Sequence, residues 1–330
     1  MPSTANQIKT MAFESNPETI APVPKRALLA PPHGNIDGVK AILWNEHELR
    51  AGWRLVIYFV LFIGFAVGEI LVAVALHFPT PSHTNITASG LLVQEAIQMY
   101  AALAAAAILG LLEGRAFGTY GLPGIGAFGG RFWQGLAWGL AMISAVIFLI
   151  RLMGGYSFGE LALGGRMLWG YAALWGIVFL CTGLFEEFAF RGYVQYTLAS
   201  GVKFWPAATT LSAIFGALHL ANGGEDRIGA LSVFVIGMFF CLTLRRTGNL
   251  WFAVGLHASF DWGETFLYSV PDSGIVAPGH LLNSSFHGPT WLTGGSVGPE
   301  GSVMVFAVIA VAAVIFSRMY PPSEETHTVP

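Results

Sequence analysis

The chain has 330 residues, 54% of them hydrophobic and 11% charged, against roughly 25% charged in a water-soluble domain, which excludes an ordinary soluble fold. A net charge of −3, with the basic residues dispersed among loops, argues against nucleic acid as a partner. Cys181 and Cys241 both fall in apolar runs without CxxC spacing, so a disulfide framework and a zinc knuckle are excluded and both read as buried thiols.

Residues 1 to about 49 read as a cytosolic tail, Pro-rich and polar at first and disordered, with a short interfacial helix over Ala41–Arg50 anchored by Trp44. Eight apolar stretches then approach the length of about 20 residues that a transmembrane helix needs. They are Trp53–Phe78, Leu91–Leu112, Phe132–Met153, Met167–Leu198, Phe204–Leu220, Ile228–Leu244, Leu250–Tyr268 and Ser302–Phe316. The fourth would extend about 48 Å at about 1.5 Å per residue, so it must tilt, bend near Gly183 or protrude. The segment Val270–Gly301 reads as an irregular external loop, and residues 321–330 as a cytosolic tail. The pattern predicts an all-α, polytopic membrane bundle of about eight helices. Lys and Arg gather at alternate boundaries, at Arg50, Arg54, Arg115, Arg131, Lys203, Arg245, Arg246 and Arg318, which places both termini in the cytosol.

Ionised groups are expensive inside a membrane and mark function, which directs attention to Leu184–Tyr193 in the fourth span. Glu187 and Arg191 have the spacing and order of an i,i+4 ion pair. Adjacent helical positions diverge by about 100°, so Glu186 faces elsewhere and is the acid free for chemistry. Two histidines lie well inside spans, His219 and His257; Asp261 shares a helix face with His257, and Glu264 lies a turn further on. Counted from the cytosolic ends, Glu186 and His219 lie roughly 21–23 Å along their helices and His257 and Asp261 about 10–17 Å, a difference that tilt can close. Glu69 and Glu95 are further membrane carboxylates that either line a water-filled cavity or bond between helices.

Glu186-Glu187-x-x-x-Arg191, Phe215-x-x-x-His219 and His257-x-x-x-Asp261, in this order on successive apolar helices, resemble the three motifs of the CAAX-protease and bacteriocin-processing (CPBP, or ABI) intramembrane proteases, which include the Ras-converting CAAX endopeptidase. The resemblance covers about residues 167–268 and implies a membrane-embedded peptidase of the cell inner membrane acting on a peptide or membrane-protein substrate. It implies that Glu186 and His219 hold and activate a water while His257 and Asp261 face the scissile carbonyl, supported by Glu187, Arg191 and Phe215. Asp261 departs from relatives with Asn, whose amide donates a hydrogen bond; an ionised Asp accepts only, so it must be protonated, orient His257 or bind metal. The family carries a metalloprotease label, and Glu186, His219, His257 and Asp261 are acceptable Zn2+ ligands. HExxH is absent, and the preferred expectation is a metal-free glutamate mechanism with no cofactor. The rival expectations are a proton-coupled transporter, which would show repeated halves that this chain lacks, and a catalytically inactive scaffold or immunity protein of the same fold.

Overall fold

Long apolar runs become helices here because, away from water, backbone N–H and C=O groups must be satisfied within the segment itself. The computed structural model describes residues 28–31, 38–79 and 86–322. Its helices are α1 Val39–Leu43, α2 Ala51–Ala75, α3 Ala88–Glu113, α4 Gly130–Leu152, α5 Gly165–Arg191, α6 Tyr193–Val202, α7 Phe204–His219, α8 Arg227–Thr247, α9 Trp251–Trp262, α10 Thr290–Thr293 and α11 Val303–Met319. Side-chain caps fix several starts: Thr87 accepts from Gly90 N, Asp226 from Ile228 N and Gly229 N, and Ser302 from Met304 N. The chain is a polytopic helical membrane bundle.

Among the described residues, five helical segments are long and apolar enough to cross a membrane: Ala51–Ala75, Ala88–Glu113, Gly130–Leu152, the interrupted Gly165–Val202 and Arg227–Thr247. The other three expected spans become the shorter α7, α9 and α11. The overlong fourth stretch breaks at Gly192, not near Gly183. Gly192 leaves helical geometry at φ −85°, ψ −120°, and a Cβ there would overlap the Phe188 carbonyl oxygen. Gly183 stays helical and serves close packing, its missing Cβ lying 3.0 Å from the Val254 carbonyl oxygen. The interfacial helix expected over Ala41–Arg50 is also displaced: α1 ends at Leu43, and Asn45 caps a turn whose arms meet at the Trp44–Leu49 bridge. Most of the expected N-terminal tail lies outside the described residues.

Every residue of α9 from Trp251 to Asp261 is buried, which makes it the central helix. It packs against α4, α5 and α8. Contact with α4 is backbone to backbone. Gly135 and Gly139, four apart on α4, face the carbonyls of Phe252 and Leu256, while Gly255 faces the carbonyl of Phe132. Small residues at this spacing let two membrane helices approach closely. Ser259 adds an interhelical hydrogen bond, Oγ donating to Leu136 O at 2.9 Å. At the opposite end of α3, buried Arg54 is held by Glu113 and Glu48, and the hydroxyls of Tyr120 and Tyr193 donate to Glu113, tying α2, α3 and α6 together.

The segment after α9 folds back over one end of the bundle. A two-residue strand, Ser285–Phe286, pairs antiparallel with Tyr156–Ser157, and Trp175 Nε1 on α5 donates to Gly279 O at 3.0 Å. Its irregular backbone matches the expectation for Val270–Gly301. Both cysteines are buried and free.

Candidate active site

Helical geometry separates the two adjacent glutamates as the sequence requires. The Glu187 side chain is fully buried, whereas that of Glu186 retains 20% exposure on the wall of a cavity of about 330 Å³. Glu187 Oε1 accepts from Arg191 Nη1 at 3.2 Å and from His257 Nδ1 at 2.9 Å. The second bond is a tertiary contact that local spacing does not encode. It makes Glu187 an orienting group for His257 as well as the partner of Arg191.

Arg191 is held mainly by rings. Its guanidinium carbon lies 4.5 Å from the Phe215 centroid and 5.4 Å from that of Phe240, a geometry that supplies cation–π attraction in place of water. Phe240 also stacks on His257 at 5.2 Å and 13°. The aromatic shell therefore fixes both the cation and the imidazole it neighbours.

His257 Nε2 faces two carboxylates, Asp261 Oδ2 at 3.3 Å and Glu186 Oε2 at 3.5 Å. Glu186, His257 and Asp261 thus meet across α5 and α9. His219 lines the same cavity from α7, with no direct bond to the other three among the described contacts. Its Nδ1 lies 2.9 Å from Phe215 O; a carbonyl can only accept, so Nδ1 carries a hydrogen, and in the neutral ring Nε2 is the acceptor. Phe215 packs edge-on against the ring at 4.6 Å.

Of the two unexplained carboxylates, Glu95 lines the cavity and accepts through Oε1 from Gln94 and Gln98 of its own helix, and among the described residues its Oε2 has no partner on another helix. Glu69 lies away from the cavity on α2. Beyond the α7 end, burial of Glu225 raises its carboxyl to about 7, against a hydrogen bond from Asp226 N that lowers it.

Zinc bonds of about 2.0–2.2 Å require ligand atoms to crowd around one point. Among the described residues, the set of three or more His, Cys, Asp or Glu donors lying within 4.8 Å of one another is Asp261, Glu264 and Asp272, all carboxylates. Glu186, His219, His257 and Asp261, as placed, do not form such a set. Two of them, Glu186 Oε2 and Asp261 Oδ2, lie 3.5 Å and 3.3 Å from His257 Nε2, and His219 stands apart on α7.

These features define a membrane-embedded protein with a carboxylate–histidine site open to an internal cavity. Residues 168–263 match the family model described as Rce1-like, type II CAAX prenyl endopeptidase Rce1-like. This segment holds all three motifs and is similar to the CAAX-type intramembrane proteases that the family model describes. Comparison with curated proteins finds no match.

Proposed function

We propose that the chain is an endopeptidase that cleaves a peptide within or beside the bilayer by a glutamate-activated water. Glu186 takes a proton from the water as it attacks the scissile carbonyl and returns that proton to the leaving amine, a role that requires a positioned base within reach of both. His219 accepts a hydrogen bond from the water through Nε2. His257 donates from Nε2 to the oxygen on which negative charge develops. Asp261 orients His257 in place of the amide that relatives carry, and Glu187 fixes the other ring nitrogen. Both termini lie in the cytosol of a cell whose inner membrane holds the bundle.

The observation that carries this reading is the asymmetry of the glutamate pair: one acid is sealed against Arg191 and His257, and its neighbour stands on the cavity wall within 3.5 Å of His257. A structural pair needs no open carboxylate. The test is purified full-length protein in lipid nanodiscs, assayed on a quenched peptide library and on the isolated membrane proteome. Glu186→Gln should lose at least about a thousandfold in rate while melting within a few degrees of wild type, since a base contributes roughly 10²–10⁴-fold and the tetrahedral intermediate loses its proton carrier as well. Activity within a few-fold of wild type would remove Glu186 from the mechanism.

A further inference from the structure

Beyond the proposed catalytic residues, α9 passes into a π-helical turn, Gly263–Leu267, in which Tyr268 N donates to Gly263 O at 2.8 Å. Such turns recur at functional positions because they re-aim side chains out of helical register. This one holds Glu264. Its side chain is completely buried, and neither carboxylate oxygen has a hydrogen-bond partner among the described residues. An orphaned buried carboxylate is costly unless something answers its charge.

What surrounds it is more acid. Asp261 precedes it by three residues on the same face. Asp272 returns to the site on a tight turn in which Asp272 and Ile275 pair and Ser273 and Gly274 adopt φ of 44° and 79°. One oxygen from each of Asp261, Glu264 and Asp272 lies within 4.8 Å of the other two. Glu225 and Glu300 add to the same negative field. The salt-bridged arginines Arg54, Arg115 and Arg191 pair elsewhere, with Glu48, Glu113 and Glu187.

We infer that Asp261, Glu264 and Asp272 form a binding site for a hard divalent cation of the Ca2+ type, placed behind the proposed catalytic pair. Oxygens bound at about 2.3–2.6 Å to one Ca2+ stand up to about 5 Å apart across the ion, a limit within which these three fall. Carboxylate donors without nitrogen or sulfur select Ca2+, Mg2+ or Mn2+ over zinc. Thr265 Oγ1, donating to Asp272 Oδ2 at 3.0 Å, orients that ligand, and Asn222 Nδ2 ties the turn to the end of α7 by a 3.1 Å bond to Ser273 O. Asp261 belongs to both sites, with Oδ2 toward His257. The ion would hold Asp261 as an anion, the state in which it orients the imidazole.

The inference rests on the cluster and is tested without reference to proteolysis. Full-length protein is stripped with EGTA, exchanged into chelator-free nanodiscs, and titrated with CaCl2 by calorimetry and thermal unfolding, with MgCl2 and MnCl2 in parallel. Wild type should bind one Ca2+ and melt several degrees higher at millimolar Ca2+. Glu264→Gln should bind at least about tenfold more weakly, yet melt no lower than wild type in EGTA, because it removes a buried carboxyl that no hydrogen bond satisfies. Asp272→Asn provides an independent ligand change at a half-buried position. Glu186→Gln should bind Ca2+ like wild type whether or not the proposed reaction is correct. Absence of binding by all three cations, or unchanged affinity in both Glu264→Gln and Asp272→Asn, would overturn the site.

Discussion

Replacing Glu187 by Gln tests the energetic core of the site, because it removes one charge and almost no volume. Arg191 and Glu187 both have fully buried side chains, and among the described residues Arg191 Nε and Nη2 already lack hydrogen-bond partners. Breaking a buried pair by removing one member costs about 3–5 kcal/mol. The amide oxygen still accepts a hydrogen bond, and the Phe215 and Phe240 faces remain, so the lower end, about 3 kcal/mol, is expected. At roughly 2–4 °C per kcal/mol, the melting midpoint should fall by about 6–12 °C. The assay is intrinsic fluorescence or differential scanning fluorimetry in one detergent, with proteolysis measured well below the lowered midpoint. There Glu187→Gln should keep activity within about tenfold, since Gln Oε1 can still accept from His257 Nδ1, while Glu187→Ala loses far more. Combining Glu187→Gln with Arg191→Met should recover most of the stability, as apolar replacements of buried pairs generally do. A wild-type melting point for Glu187→Gln, or no recovery in the double variant, would refute the assignment of Arg191 as a charge held by this carboxylate.

Two other substitutions probe separate features. Gly139→Ala places a methyl group onto the Leu256 carbonyl and the Ser259 hydroxyl, so it should destabilise by about 1–3 kcal/mol and depress turnover with it, measured by the same melts and assay; full stability would mean that α4 and α9 do not pack through this glycine. For Glu225, the folded chain holds the proton more tightly than the unfolded chain, so stability is complete below about pH 4.5 and declines as pH rises through about 7. Glu225→Gln, melted in EGTA, should therefore exceed wild type at pH 8 and converge with it near pH 4; a gain independent of pH would contradict a buried, titrating carboxylate.

The motifs were legible because each is local. Glu187–Arg191, Phe215–His219 and His257–Asp261 are all one helical turn apart, and a turn is the distance over which spacing dictates contact. The bond from His257 to Glu187 spans two helices, and nothing in either segment alone specifies it. The Asp261, Glu264 and Asp272 cluster depends on a loop reversal after α9 and on a π-helical turn, neither of which has a periodic signature. Gly183 and Gly192 show a further limit: one glycine admits a neighbouring backbone and the other ends a helix, and composition cannot separate these uses. The spacing of Gly135 and Gly139, by contrast, is a readable signal for close helix packing.

The glycine contact between α4 and α9 braces from behind a helix that lines the cavity with Leu256, His257, Phe260 and Asp261. A wall built of side chains widens by rotamer exchange, on picoseconds to nanoseconds where the residues are free to turn. On the α3 and α5 side, the lining includes Leu91, Gln94, Gln98, Phe179 and Phe185. At Gly135, Gly139 and Gly255, where α4 meets α9, backbone carbonyls lie directly against glycine. Separating α4 from α9 there would require two helices to part along their length, which braces α9, the helix that carries His257 and Asp261, against α4.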